Sequence, residues 1–199
     1  MKSLNVKLTF TEPILGTASA DPEIHRRFIA SKAPDALTRE EEVAVLGVDE
    51  VTERSVTVFP RDEDDNPFLF DYQVRGFFKD ACGMLRRVDG MKSKKLTAYK
   101  KVVDGLIFVN PRRIRLELPE GACVEECQRP LRAETAQGPR VAIAHSEQCP
   151  AGTTVEFEIQ ILQDNLEGVV KEWLEYGKLR GIGQWRNSGM GRFTYEVIE

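Results

Sequence analysis

The chain has 199 residues, 41% of them hydrophobic and 30% charged, with a net charge of −4. That is enough apolar chain for one large globular domain with a real core. No run of about 18 apolar residues occurs, which excludes a membrane-spanning helix. The opening Met1 to Val6 runs directly into a strand pattern and does not read as a signal peptide. A cytoplasmic setting is expected, with the four cysteines as thiols rather than disulfides.

Leu4 to Phe10 alternates apolar and polar residues with period two, as a strand with one buried face does, and Pro13 and Gly16 end it. Residues 17 to 53 read as a helical insertion with short helices around Pro22 to Ala30 and Thr38 to Leu46. Thr38, with Glu41 three residues on, fits a capping box. Pro60 to Pro67 is an exposed acidic spacer. Tyr72 to Val88 predicts a helix with Val74, Phe77, Phe78, Ala81, Cys82 and Leu85 on one stripe. Gly105 to Val109 and Arg113 to Leu118, with Pro111 between them, read as one strand with a bulge or bend.

Residues 119 to 151 are turn-rich and predict an inserted, projecting hairpin with arms Gln128 to Ala133 and Arg140 to Ala144. Thr153 to Ile161 alternates again. Asn165 caps a helix carrying Val169, Val170, Trp173, Leu174 and Leu179, and Phe193 to Ile198 is a last strand. Without insertions the order is strand, helix, strand, strand, helix, strand. That order predicts a single α+β domain of ferredoxin-like (split βαβ, RRM-like) topology over residues 1–199.

Charge is segregated along the chain. Between Arg75 and Arg115 stand twelve Lys/Arg and three acids; between Ala36 and Asp71 stand eleven acids and three arginines. Such segregation lets an acidic protein present a basic face. Between the last helix and the last strand, Gly181, Gly183, Gly189 and Gly191 are interleaved with Lys178, Arg180, Arg186 and Arg192, with no acid among them. Glycine permits tight turns and close backbone approach, and free N–H groups with arginines suit phosphate. Trp185 in this loop offers an aromatic face to a base.

Other chemistry is sparse. Cys123, Cys127, His145 and Cys149 form two pairs of soft ligands, compatible with a tetrahedral zinc site in the hairpin but lacking the tight knuckle spacing; no metal or other cofactor is expected. His25 has the pKa range of a general base. Asp21-Pro22-Glu23 reads as a helix start.

Three stretches carry a family resemblance. Gly181 to Phe193 looks like the glycine-rich loop of the RAMP superfamily, the repeat-associated proteins of CRISPR effector complexes. Phe70 to Lys79 is similar to the segment opening the first helix of their backbone subunits, with Gln73-Val74-Arg75-Gly76 in place of the frequent Ser-Leu-Lys-Gly. Leu4 to Gly16 is similar to their first strand and its turn. The resemblance is to the backbone branch of type III complexes, a stand-alone or mobile-element relative included, with antiviral defence as the setting. It implies that Arg75, Gly76 and Lys79 meet single-stranded guide RNA together with Lys178, Arg180, Gly181, Gly183, Arg186, Gly189, Gly191 and Arg192. It also implies head-to-tail self-assembly or docking to other effector subunits. In type III backbone subunits an acid in the loop after the first strand cleaves RNA, which here points to Asp21, with Asp35 further on. The leading reading is a non-catalytic RNA-binding subunit. Its rivals are an endoribonuclease using Asp21 or His25, and an anti-defence module that docks on protein and never meets RNA.

Overall fold

The computed structural model describes residues 1–20, 56–135 and 138–198, with backbone alone from 131 to 142. The two helices expected between Pro22 and Leu46, and with them Asp21, His25 and Asp35, lie outside the described residues.

The central sheet is built from the segments that alternate most regularly. Strand β1 (Lys2–Phe10) buries Leu4, Val6, Leu8 and Phe10 and turns the intervening residues outward. Short strands β2 (Ile14–Leu15), β3 (Ala18–Ser19), β4 (Thr57–Val58) and β5 (Phe68–Phe70) follow it, and helix α1 spans Asp71–Leu85. Helix α2 (Tyr99–Leu106) leads into β6 (Ile107–Asn110) and β7 (Arg113–Arg115). The hairpin strands are β8 (Glu125–Thr135) and β9 (Gly138–Cys149); β10 (Thr154–Ile161), α3 (Glu167–Arg180) and β11 (Phe193–Ile198) complete the chain.

Four strands form one antiparallel sheet in the order β11-β1-β10-β6. The two ends of the chain therefore pair directly, with Val6 opposite Val197 and Phe10 opposite Phe193. One face is apolar and covered by α1 and α3, whose predicted stripes are buried: Phe77, Phe78 and Ala81 from α1, Val170, Trp173 and Leu174 from α3. Phe78 packs on Trp173 with ring centroids 5.5 Å apart, and Phe77 meets Phe193 edge-on at 5.2 Å. Leu179, expected on the α3 stripe, is 69% exposed, because the helix is ending there and its last turn runs past the core.

The segment around Pro111 departs from the expected single bent strand. β6 joins the central sheet, whereas β7 pairs with β5 in a separate two-stranded sheet. Proline has no N–H for a continuing ladder, so the chain changes sheet there. The expected hairpin is present but longer: its ladder runs from Glu125–Gln148 to Thr135–Gly138. At its base β9 also pairs with β2 and β4, the last at Ser146. Among the described residues, the two arms from Gln128 to His145 have only each other as ladder partners, an arm of about 27 Å at 3.4 Å per residue. No described helix is long and apolar enough to cross a membrane.

Candidate nucleic-acid interface

The open face of the central sheet carries Glu156, Glu158 and Glu196 against Lys7, whose ammonium pairs with Glu156 at 3.0 Å. That surface repels phosphate. The basic motifs gather on the other side of the molecule.

Helix α1 begins at the end of β5, where the Phe70 N–H donates to Gln73 Oε1 at 2.7 Å and Gln73 Nε2 donates to Thr17 Oγ1 at 2.6 Å. Asp71 in the first turn complements the positive end of the helix dipole. It also accepts from Arg75 Nη2 at 2.9 Å, one turn along. Arg75, Gly76 and Lys79 then face a cleft of about 550 Å³, whose opposite wall is the glycine loop with Ile182, Gly183 and Arg186. Two motifs more than one hundred residues apart in sequence thus line one cavity. At Gly76 a Cβ would meet nothing within 4 Å, so this position opens freely to the cleft.

The loop glycines divide by role. Gly181 and Gly191 take positive φ and pack backbone against backbone; an added Cβ on Gly191 would lie 1.9 Å from the Ile182 carbonyl oxygen. Ile182 N–H donates to Gly191 O at 2.9 Å, and Gly191 N–H to Pro13 O at 2.8 Å. These two glycines close the loop. Gly183, on the cleft, and Gly189, beside the Arg192 guanidinium, supply positive φ without such crowding.

The arginines converge on an acid that the sequence did not mark. Asp80 Oδ2 accepts from Arg180 Nε and from Arg186 Nη1, each at 2.8 Å, and tethers the loop to α1. Burial acts to raise the Asp80 carboxyl, but hydrogen bonds and charge from Arg180 and Arg186 outweigh it and hold it below the usual carboxylate range. Helical spacing carried the signal, since Asp80 lies one turn beyond Gly76 on the cleft side. Lys79 pairs with Asp104 at 2.5 Å and Lys178 with Glu175 at 2.5 Å. Arg192 Nε donates to the Leu179 carbonyl at 3.1 Å, satisfying a free carbonyl of the last turn of α3. Of the six predicted cations, Arg75, Lys79 and Arg186 line the cleft; Lys178, Arg180 and Arg192 do not.

The hairpin base touches the same loop. Arg129 on β8 lies 4.6 Å from the centroid of Trp185, and its Nη2 donates to Gln184 Oε1 at 3.1 Å. Gln184 in turn donates to the Gly16 carbonyl at 2.8 Å. Neither Arg129 nor Gln184 stood out in the sequence, because their pairing depends on strand register.

The zinc candidates are not gathered. Cys127 stands opposite Ser146 in the ladder, so His145 and Cys149, odd-numbered neighbours, fall on the other face. Cys149 is buried, which pushes its thiol up to about 12, while Cys123 is exposed before the strand begins. Among the described residues no group of three or more metal-ligating side chains forms.

No protein-family model matches the sequence, and no curated protein matches it. Solved structures do. A chain of the type III-B Cmr-beta complex bound to cognate target RNA, determined by cryo-EM, superposes with a TM-score of 0.55 at 12% identity, over 99% of this chain and 59% of that one. A chain of a type IV-B CRISPR complex is also similar, with a TM-score of 0.49 and 10% identity over 99% of this chain and 90% of that one. The chain has a CRISPR effector-like fold. It spans about 59% of the length of the type III-B chain, and at this identity the likeness concerns the fold.

Proposed function

We propose that this protein is a RAMP-type, RNA-binding relative of the backbone subunits of CRISPR effector complexes, and that it grips single-stranded RNA in the cleft between α1 and the glycine loop. The observation that carries the reading is the meeting of Arg75, Gly76 and Lys79 with Gly183 and Arg186 around one cavity. The sheet order supports a ferredoxin-like core: in order of the four core strands it is fourth, first, third, second, with two helices on one face.

Each cleft cation is already paired with an acid: Arg75 with Asp71, Lys79 with Asp104, and Arg186 with Asp80. The Lys79–Asp104 and Arg186–Asp80 pairs are partly exposed, and such pairs contribute about 1 kcal/mol or less, whereas Asp71 is buried beneath Arg75. A phosphate row can therefore take over Lys79 and Arg186 at small cost. Gly76 leaves room for a sugar–phosphate chain to run close to α1. The reading is non-catalytic, with other effector subunits or further copies of the chain as partners.

The test is binding of labelled single-stranded RNA of arbitrary sequence to the wild type and to Arg75→Ala/Arg186→Ala. The expected result is weaker binding to every sequence and a log K against log salt slope flattened by about 0.7 per lost contact, with the RNA intact. Unchanged affinity and slope in a folded variant would promote the protein-docking reading. Shortened RNA would promote the endoribonuclease reading through Asp21 or His25.

A further inference from the structure

A second basic surface differs from the cleft in one respect: most of its cations make no ion pair among the described residues. From Arg86 to Lys101 the chain carries Arg86, Arg87, Lys92, Lys94, Lys95, Lys100 and Lys101 against the single acid Asp89. Lys94 pairs with Asp89, and Arg86 lies 5.3 Å from the centroid of the Tyr99 ring. Among the described residues Arg87, Lys95, Lys100 and Lys101 are exposed and make no ion pair.

The surface is also rigidly held. Ser93, at the centre of the turn Lys92–Lys95, has no solvent exposure. The N–H groups of Lys92 and Ser93 donate to the Glu172 carboxylate at 2.7 and 3.0 Å, and Ser93 Oγ donates to it at 2.5 Å. The same hydroxyl accepts from Nε1 of the buried Trp173 at 2.9 Å. A polar network reaching into the core therefore fixes a four-residue turn whose exposed side chains are all lysines.

We propose that this turn, with Arg87 and the start of α2, is a second polyanion-binding surface whose ligand is the phosphate backbone of a nucleic acid. Free, exposed cations can neutralise phosphates directly and release the counterions condensed on the nucleic acid, whereas paired cations must first give up their acid. Lysines are point charges without a planar fork, suited to phosphates of any sequence. A protein partner would need a desolvated apolar centre with aromatic anchors. The turn Lys92–Lys95 offers no exposed apolar side chain, the exposed apolar residues beside Arg87, Met84 and Val88, are aliphatic, and the neighbouring aromatic, Tyr99, is engaged by Arg86. The surface lies beyond the C-terminal end of α1, about 15 Å along the helix from Arg75, and its action does not depend on the cleft.

The experiment compares fluorescence anisotropy of labelled oligouridylate with wild type, Arg87→Gln/Lys95→Gln/Lys100→Gln/Lys101→Gln, the cleft variant Arg75→Ala/Arg186→Ala, and the six-site combination. The expected result for the quadruple variant is about tenfold weaker binding near 0.1 M salt, a slope flattened by up to about 0.7 per contact, and near-additivity with the cleft variant. Lys95→Arg/Lys100→Arg/Lys101→Arg should keep the affinity. Unchanged affinity and slope in the folded quadruple variant would overturn the proposal even if the cleft variant binds weakly. A lysine-dependent affinity for polyglutamate equal to that for the RNA would overturn it in favour of an acidic protein partner. Weakening by the quadruple variant alone would support this surface and remove the cleft reading.

Discussion

Arg186 donates from Nη1 to Asp80 Oδ2 at 2.8 Å although the two residues stand 106 positions apart in the chain. Arg180 donates to the same oxygen, so one carboxylate on α1 fixes both the end of α3 and the loop that follows it. The position of the glycine loop over the cleft is thus set by an ion-pair cluster as well as by backbone packing.

Replacing Asp80 by Asn should lower stability at neutral pH by about 1–2 kcal/mol, the range for partly buried charged hydrogen bonds. The folded carboxyl titrates below its ordinary value. Its contribution is therefore complete above the unfolded pKa of about 3.9 and is lost as pH falls through the folded pKa. Urea unfolding at a series of pH values should show wild type and Asp80→Asn separated above about pH 5 and converging below the folded pKa. A constant gap down to strong acid would assign the effect to packing.

Glycine substitutions should separate folding from binding. Gly191→Ala places a Cβ 1.9 Å from the Ile182 oxygen at a φ of 69°, so a loss of about 3 kcal/mol or more is expected. Gly189→Ala, where the nearest atom is the Arg192 guanidinium carbon at 3.5 Å, should cost only about 1 kcal/mol for its positive φ. Gly76→Ala has open space and a helical backbone, so it should stabilise by about 1 kcal/mol and weaken RNA binding at the same time. Denaturation and anisotropy on the same three proteins decide this.

Ser93→Ala removes the hydroxyl that accepts from Trp173 Nε1 and one donor to Glu172. A buried indole N–H left unsatisfied costs about 1–3 kcal/mol. The thermal midpoint should fall, and amide exchange at Lys92 and Ser93 should quicken as the turn loosens. Unaltered exchange there would mean that the carboxylate of Glu172 alone holds the turn.

Thiol reactivity offers a check on the hairpin register. Cys123 is exposed, whereas Cys82 and Cys149 are buried and desolvation raises both thiols. In native protein at pH 8 a thiol reagent should modify Cys123 rapidly and leave Cys82 and Cys149 unreacted until the protein unfolds. Rapid modification of Cys149 would mean that its pairing with Ile14 is not maintained in solution.

The elements of the core could be read from the chain because their signals are periodic and local. The alternation of Leu4 to Phe10 and of Val155 to Ile161, and the α1 stripe from Val74 to Leu85, each follow from one side of an element meeting apolar neighbours. Helix α2 carried the same kind of signal in Tyr99, Val102, Val103 and Leu106, obscured by the lysines around it. Leu179 kept the helical spacing but not the burial, because period alone does not say where a helix runs past its core.

The sequence by itself determined which segments pair apolar faces, that basic residues cluster after Arg75, and that a glycine-rich loop precedes the last strand. Tertiary structure alone decided which cations remain free. Asp80, Asp71 and Asp104 neutralise cleft residues from other turns or other elements, while Lys95, Lys100 and Lys101 meet no acid among the described residues. Coulombic pairing depends on distance in space, and the fold brings Asp80 to Arg186 across 106 positions that no local pattern spans.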